Sequence, residues 1–185
     1  MIDRFIRSLV ALLLLAGVVH IVAILLVPFN VPFNAYAQLI ADSPSARLTL
    51  LNRTSLALPD LDPSFVTAVC PVTPETGPQL ITGMLPDRLW FVSLIGPNGD
   101  VVTALRSDAA ENGKLSALAG TPADVDTYLS AHKLDAPLPV PLSLMGDRGL
   151  VEIKIFAPNE GDRLAATAAI EAMTCLSAMA PPPAK

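Results

Sequence analysis

The longest hydrophobic stretch of the chain lies close to its N-terminus. Residues 9–29 form a run of 21 positions without a formally charged side chain. An α-helix rises about 1.5 Å per residue, so a helix of this length crosses the hydrocarbon core of a bilayer, which is about 30 Å thick. The pattern therefore predicts a transmembrane helix over residues 9–29.

The charges on the two sides of this run are uneven. Arg4 and Arg7 precede it, whereas the next basic residue after it is Arg47. Positive charge beside a membrane segment is retained on the cytoplasmic side. We therefore expect residues 1–8 in the cytoplasm and the remainder of the chain in the periplasm, anchored in the inner membrane of a bacterium by a single pass.

A cleaved signal peptide is the alternative interpretation of the same run. Ala35-Tyr36-Ala37 has the small-x-small form that signal peptidase accepts, with cleavage after Ala37. The apolar core of a signal peptide usually has about 7–15 residues, and this run is longer. Pro28 and Pro32 then interrupt the helix near the membrane interface. The length favours an uncleaved anchor, and the domain is exported in both cases.

One polar residue interrupts the apolar run. His20 lies near the middle of the predicted span, where a polar side chain without a partner is costly. Ala16, His20 and Ala23 share one helix face, and small residues beside a hydrogen-bonding one allow a second helix to approach closely. We predict that these three residues contact a partner helix. A neutral imidazole tolerated in a plain anchor, and a role in proton or ion transfer, are the alternatives.

Alternation of apolar and polar residues predicts the strands that follow. Leu150–Phe156 alternates cleanly, as a half-buried strand does. Arg88–Ile95 is apolar on both faces, which suits a central strand, and the turn signal Gly96–Asp100 joins it to Val101–Arg106 in an antiparallel hairpin. Three further strands are predicted over Arg47–Leu51, Gln79–Met84 and Lys114–Ala119.

Capping residues predict two helices in the same part of the chain, and an apolar face at helical spacing predicts a third. Residues 62–70 are predicted as a helix with Asp62 as N-cap and proline at its first position. Residues 121–132 are predicted as another, with Thr121 as N-cap. A third is predicted over residues 162–176 from an apolar face at helical spacing. That face comprises Ala165, Ala168, Ala169, Ala172 and Leu176.

Together these elements predict an α+β protein: a single N-terminal transmembrane helix, then a small domain with an antiparallel sheet and two or three short helices. Between the membrane helix and the domain we expect a tether containing a short helix that ends at Ile40, with Asn34 as a candidate cap. The predicted organisation is a cytoplasmic N-terminus (1–8), a transmembrane helix (9–29), a tether (30–46), a periplasmic α+β domain (47–177) and a disordered tail (178–185).

The charge of the exported part argues against one class of partner. From Gln38 onward the chain has 10 basic and 16 acidic side chains, a net charge of −6. The basic residues are scattered and form no stripe or patch of the kind that contacts phosphates. We therefore expect no nucleic-acid binding.

The chain contains two cysteines, Cys70 and Cys175. In the oxidising periplasm two thiols of one small domain usually pair. We predict a disulfide that holds the C-terminal helix against the segment leading into the sheet. Two buried, unpaired thiols are the alternative. A zinc site is disfavoured because no Cys-x-x-Cys pair and no neighbouring histidine accompanies them.

No arrangement of residues in the sequence indicates an active site. Nucleophilic catalysis needs a base beside a serine or cysteine, and His132 is the only histidine outside the predicted span. We interpret His132 as a helix-end residue. The pair Asp60 and Asp62 resembles a metal-binding Asp-x-Asp, but the capping role already explains Asp62. No phosphate-binding glycine loop and no nucleophile elbow is present. We predict no catalytic residue, no metal ligand and no cofactor.

The order of short motifs along the chain resembles that of a known family. The motifs are His20–Pro28 in the membrane helix, Ala35–Ala37, Asp62–Phe65 before Cys70, Gly77-Pro78, Leu89–Phe91, Thr121-Pro122, Gly149–Val151 and Ala172–Cys175. This order resembles the short, membrane-anchored members of the bacterial domain-of-unknown-function family 1254. The resemblance implies a partner protein, since such domains look to be fused to, or encoded beside, a second uncharacterised domain. It carries no catalytic residue over to this chain.

Two classes of function follow from these observations. In the first, the chain is a membrane-anchored, non-catalytic subunit that binds a partner membrane or envelope protein. In the second, it is a hydrolase-type enzyme, or half of one, whose pocket is completed by a partner domain. A module that binds a solute or a lipid is a further alternative.

Overall fold

The computed structural model describes residues 2–30, 35–43, 47–51, 61–110, 112–132 and 137–178. The chain divides into two units, Met1–Asn34 and Ala35–Lys185. Predictions made for Asn34, Asp60 and residues 179–185 lie outside the described residues.

The first unit is a single helix, α1 (Ile2–Asn30). Its stretch Asp3–Leu26 is long and apolar enough to cross a membrane, and the side chains of that stretch are exposed in the described structure. The helix does not end at Pro28, where the sequence predicted an interruption. A proline near the end of a helix removes one backbone hydrogen bond, and the helix continues for two residues beyond it.

The second unit contains the remaining elements and confirms the predicted α+β class. They are α2 (Ala35–Asp42), β1 (Thr49–Leu50), β2 (Phe65–Val72), β3 (Gln79–Met84), β4 (Trp90–Ile95), β5 (Val101–Arg106), a 3₁₀ turn (Ser107–Ala109), β6 (Lys114–Gly120), α3 (Pro122–Ala131), β7 (Val140–Ser143), β8 (Gly149–Phe156), α4 (Glu160–Ala172) and β9 (Thr174–Ser177).

The strands form two sheets in place of the single sheet expected. The first has the order β1-β2-β8-β4-β5 and is antiparallel throughout, whereas the second has the order β7-β6-β3-β9. In the second sheet β6 and β7 run parallel, and the other pairs are antiparallel. The predicted hairpin is confirmed as β4 and β5, and its turn contains Gly99 with a positive φ of 82°.

The hydrophobic core lies between the two sheets. Val151, Ile153 and Ile155 on β8 are fully buried and belong to one cluster with Ile81 of the second sheet. The cluster also contains Trp90, which is 1% exposed, and residues of α4. Along β4, and along β8 from Val151 onward, buried residues alternate with half-buried ones, as the period of two predicts.

The segment predicted as the first helix is the strand β2. Asp62 does cap a turn: its Oδ1 accepts a hydrogen bond of 2.8 Å from the backbone N–H of Ser64. The following residues then pair with β8 along their whole length. An aspartate that caps the N–H two residues on begins a turn as readily as a helix. The run Phe65–Val72 is rich in β-branched residues, which favour a strand.

The last predicted helix is shorter than expected, and its buried face differs. α4 begins after Asn159, whose side-chain oxygen accepts from the N–H of Asp162 at 3.0 Å, and it ends at Ala172. Its buried residues are Ala166 and Ile170, whereas Ala165, Ala168, Ala172 and Leu176 are exposed and Ala169 is half-buried. Burial of an alanine side chain removes little apolar surface from water. The position of the larger Ile170 therefore decides which face of α4 packs on the core.

The helix α3 agrees with its prediction. Thr121 is its N-cap, and the Thr121 side chain accepts from the N–H of Asp124 at 3.3 Å. Within the stretch predicted as a tether, α2 packs on the outer face of the first sheet through Leu39, which is buried against Val69 and Leu150.

Candidate functional site

The two cysteines form a disulfide that joins the two sheets. Cys70 lies on β2 of the first sheet and Cys175 on β9 of the second, with 6.6 Å between their Cα atoms. The sequence had placed both cysteines at the ends of helices, over residues 62–70 and 162–176, and this prediction is wrong: both lie on strands. The side chains are 0% and 2% exposed, so the bond crosses the hydrophobic core. The predicted disulfide is therefore present, and it links two sheets in place of a helix and a sheet.

A buried glutamine contacts this disulfide. Gln79 on β3 is 0% exposed, and its Nε2 donates to the carbonyl oxygens of Thr76 at 3.2 Å and Gly77 at 3.0 Å. Its Oε1 lies 3.7 Å from Sγ of Cys175. A disulfide sulfur carries no hydrogen, so this contact is not a hydrogen bond. The amide thus ties the β2–β3 loop to the sheet and directs its oxygen at the disulfide.

Sequence reasoning missed Gln79. Its position in the predicted strand could have indicated that it is buried. In the strand Gln79–Met84, residues 79 and 81 share one face, and Ile81 is fully buried. A glutamine on an inward face must satisfy its amide inside the protein.

The predicted partner-helix residues Ala16, His20 and Ala23 all lie on α1, and their side chains are exposed. The spacing that places them on one face of an α-helix is retained, because α1 is continuous through all three positions. Their contact with a partner helix stays a prediction.

His132 caps the C-terminal end of α3. Its Nδ1 lies 2.8 Å from the carbonyl oxygen of Tyr128, and its ring stacks on the Tyr128 ring with 4.1 Å between the centroids. These two contacts account for the residue as a helix-end side chain. Within the part of the chain that the structure describes, no three His, Cys, Asp or Glu side chains form a group that could hold a metal ion.

An open acidic cleft lies between the β2–β3 loop, the start of α3 and the β7–β8 loop. It has a volume of about 460 Å³, and Glu75, Asp124 and Asp147 contribute to its lining. The hydroxyl of Thr73 holds the pKa of Glu75 below its usual range by hydrogen bonding. Asp124 accepts from the hydroxyl of Thr121 at 2.7 Å as part of the α3 cap. The carboxylates of Glu75 and Asp124 therefore have local structural partners.

A second cavity separates the edge strands β1 and β9. We call it the edge groove; its volume is about 560 Å³, and it is lined by Arg47, Leu48, Leu50, Ile170, Glu171, Met173, Thr174, Cys175 and Leu176. Most of the lining side chains are apolar, and Arg47 and Glu171 are the charged ones. Cys175 forms part of its wall, so the groove lies beside one of the two residues that join the sheets covalently.

Comparison with known proteins supports the fold alone. No protein-family model matches the chain, and no curated protein matches it. The chain is similar in structure to the VPA0106 protein from Vibrio parahaemolyticus, with a TM-score of 0.55 and 10% identity over 82% of this chain. It spans only 37% of that protein's chain. An uncharacterized protein from Burkholderia cenocepacia matches with a TM-score of 0.46 and 11% identity, over 82% of this chain and 41% of the other. The resemblance to family 1254 stays a prediction.

Proposed function

We propose that this chain is a single-pass inner-membrane protein whose α+β domain lies in the periplasm and serves as a non-catalytic subunit that binds a partner membrane or envelope protein. The observation that carries the proposal is the combination of an exposed apolar helix with a domain whose two sheets are joined by a buried disulfide. The helix supplies the anchor. The disulfide is typical of an oxidising compartment.

The distribution of basic residues around α1 supports the periplasmic location of the domain. Arg4 and Arg7 lie at the start of α1, before the apolar stretch, and the positive-inside rule retains such residues in the cytoplasm. The disulfide supports the same side for the domain, because cytosolic thiols are kept reduced. Two independent kinds of evidence, charge and redox state, therefore favour export.

The structural roles of several polar residues support a binding subunit over an enzyme. Asp62, Thr121 and Asn159 cap turns or helices, and His132 stacks on Tyr128 at a helix end. These four side chains are thus engaged in local structure. Meanwhile β1 and β9 remain edge strands beside an apolar groove. Such a surface suits contact with another polypeptide.

The orientation can be tested with reporter fusions. Alkaline phosphatase fused after Lys185 should be active, because the enzyme requires the periplasm for its own disulfides. A fusion after Ser8, before the apolar stretch, should be inactive and serves as the control. Activity only in the fusion after Ser8 would contradict the proposed orientation.

Partner binding through α1 can be tested by co-purification from native membranes in mild detergent, with mass spectrometry of the bound proteins. Ala16→Leu should block close helix approach, and His20→Leu should remove an interhelical hydrogen bond worth about 0.6–2 kcal/mol. Recovery of the partner should fall about threefold or more in each variant. Val18→Leu enlarges the opposite face of α1 and should leave recovery unchanged. Equal recovery from all variants would show that α1 is only an anchor, and absence of any specific partner from the wild type would overturn the proposed function.

A further inference from the structure

The helix α2 attaches to the domain through a small apolar cluster of its own. Leu39 is buried against Val69 and Leu150, which lie on the outer face of the first sheet. Their chain neighbours Ala68 and Val151 belong to the main core between the two sheets. The two clusters thus lie on opposite faces of one sheet, because successive residues of a strand alternate between its faces. Loss of α2 would expose Val69 and Leu150 and leave the main core covered.

Two buried hydroxyl groups oppose the docking of α2. The hydroxyl of Tyr36 and that of Ser43, directly after α2, are buried, and neither has a hydrogen-bond partner among the described residues. Burial also raises the pKa of the Tyr36 hydroxyl. In the undocked state both groups are free to bond to water. Each hydroxyl therefore favours the undocked state, by about five- to a hundredfold in the docking equilibrium.

The apolar burial that favours docking has an effect of similar size. Leu39 is 6% exposed, and burial of one leucine side chain favours the docked state by about ten- to a hundredfold. Tyr36 and Ile40 contribute partial burial. A helix of eight residues is unstable in water by itself, so α2 adds no stability of its own. Docking of α2 is therefore closely balanced, whereas a much larger cluster and the disulfide hold the main core.

We propose that α2 and Ser43 form a releasable strap, which docks on the outer face of the first sheet and leaves it as a unit while the rest of the domain stays folded. Release exposes the apolar patch of Val69 and Leu150. It also lengthens the free chain between α1 and the domain. The first consequence concerns the domain alone. The second rests on the proposed function, since it takes α1 as a membrane anchor.

The lengths of chain on the two sides of α2 set how far release extends this connection. Four residues, 31–34, separate α1 from α2, and such a stretch spans at most about 18 Å. After the strap, Leu48 packs against the main core. Once the strap is released, the longer stretch 31–47 spans up to about 60 Å. Release therefore increases by about threefold the distance over which the anchored domain can reach a partner.

Cysteine accessibility in the full-length protein in detergent tests the strap. Val69→Cys places a thiol under α2, and Val92→Cys places one in the main core by the same substitution. Cys70 and Cys175 are paired, so a maleimide can alkylate only the introduced thiol. The rate of alkylation follows the fraction of molecules in which the thiol is uncovered, provided that closing is fast. Position 69 should react about tenfold or more faster than position 92.

Removal of the two hydroxyls tests the cause of release. The double variant Tyr36→Phe/Ser43→Ala retains the apolar contacts and should slow alkylation at position 69 by about tenfold or more. Tyr128→Phe/Ser130→Ala makes the same chemical changes on α3 and should leave this rate unchanged. Leu39→Ala should raise it by about tenfold or more, up to the rate of an exposed thiol. None of these variants should change the rate at position 92.

Hydrogen exchange of the wild-type protein provides the same test without an introduced cysteine. The backbone amides of residues 39–42, which the helix α2 protects, should exchange about tenfold or more faster than those of residues 164–172 in α4. This measurement decides the matter even if a cysteine variant fails to fold. Equal exchange rates in the two helices would show that α2 opens only when the whole domain does.

Two further results would overturn the strap. One is equal alkylation at positions 69 and 92 in the otherwise wild-type protein. The other is an unchanged or faster rate at position 69 in Tyr36→Phe/Ser43→Ala, because the hydroxyls would then have partners in the docked state. These measurements involve neither a bilayer nor a partner protein. Failure of the strap therefore leaves the proposed function standing, and failure of co-purification or of the reporter fusions leaves the strap standing.

Discussion

Removing the disulfide between Cys70 and Cys175 should lower the free energy of unfolding of the domain by about 4–5 kcal/mol. The bond closes a loop with a sequence separation of 105 residues, and in the loop-entropy model a longer loop gives a larger constraint on the unfolded chain. The bond also joins the two sheets across the core, so its loss removes the covalent link between β2 and β9.

The measurement is denaturant unfolding of the full-length protein in detergent, followed by the fluorescence of Trp90, which lies in the core. The double variant Cys70→Ala/Cys175→Ala and the reduced wild type should both unfold at lower denaturant concentration than the oxidised wild type. Reducing agent should have no effect on the double variant, which is the control. Free alkylation of both cysteines in denatured, unreduced protein would contradict the disulfide and weaken the case for export.

The strands that could be predicted are those whose own sequence shows which side chains are buried or where the chain turns. β8 alternates apolar and charged residues, and β4 and β5 are joined by a turn whose Gly99 has a positive φ. These signals are local, so they can be read from a single stretch of sequence. β7 was not among the predicted strands. It contains Pro141, which an edge strand tolerates where the position of the missing N–H faces away from the neighbouring strand.

The predictions were wrong where one local sequence pattern is compatible with two structures. Asp62-Pro63 begins a turn as well as it would begin a helix, and pairing of β2 with β8 decides the outcome. Pro71 fits inside β2 because its missing N–H would face the side where β1 has already ended. At the other end of the domain, pairing of β9 with β3 ends α4 at Ala172. Both decisions depend on residues distant in sequence.

The same distinction applies to the candidate site. Cys70 and Cys175 could be paired from their number and their expected compartment, without knowledge of the sheets. Gln79 and the edge groove could not be found in this way, because both depend on which strands are neighbours. Features that depend on composition were therefore predictable, and those that depend on topology were not.

Gln79→Glu should destabilise the domain strongly at neutral pH and much less in acid. The amide Nε2 donates to the carbonyl oxygens of Thr76 and Gly77, and an ionised carboxylate would place negative charge against these two oxygens in a site that is 0% exposed. Burial disfavours the charged form, so the pKa of the introduced carboxyl should be raised in the folded state. When protonated, the same group can still donate one hydrogen bond.

The direction of the pH dependence follows from that raised pKa. Below the unfolded-state pKa of about 4.3 the carboxyl is protonated in both states, and the penalty from ionisation is absent. As the pH rises above this value, the unfolded state ionises first, and the variant loses about 1.4 kcal/mol of stability per pH unit until the folded-state pKa is reached. If the folded-state pKa is 7 or above, the loss between pH 4.3 and pH 7 is about 3–4 kcal/mol.

Denaturant unfolding of the oxidised full-length variant between pH 4 and pH 8 measures this loss. Two controls separate ionisation from lost packing. Gln79→Leu removes the donors without adding a titratable group, so its destabilisation of about 1–3 kcal/mol should not change with pH relative to the wild type. Met84→Glu places a carboxyl on the same strand at a side chain that is 60% exposed, where its pKa should stay ordinary. If Gln79→Glu followed the pH profile of Met84→Glu, the side chain at position 79 would be reaching water, and its assigned place between the β2–β3 loop and the disulfide would be wrong.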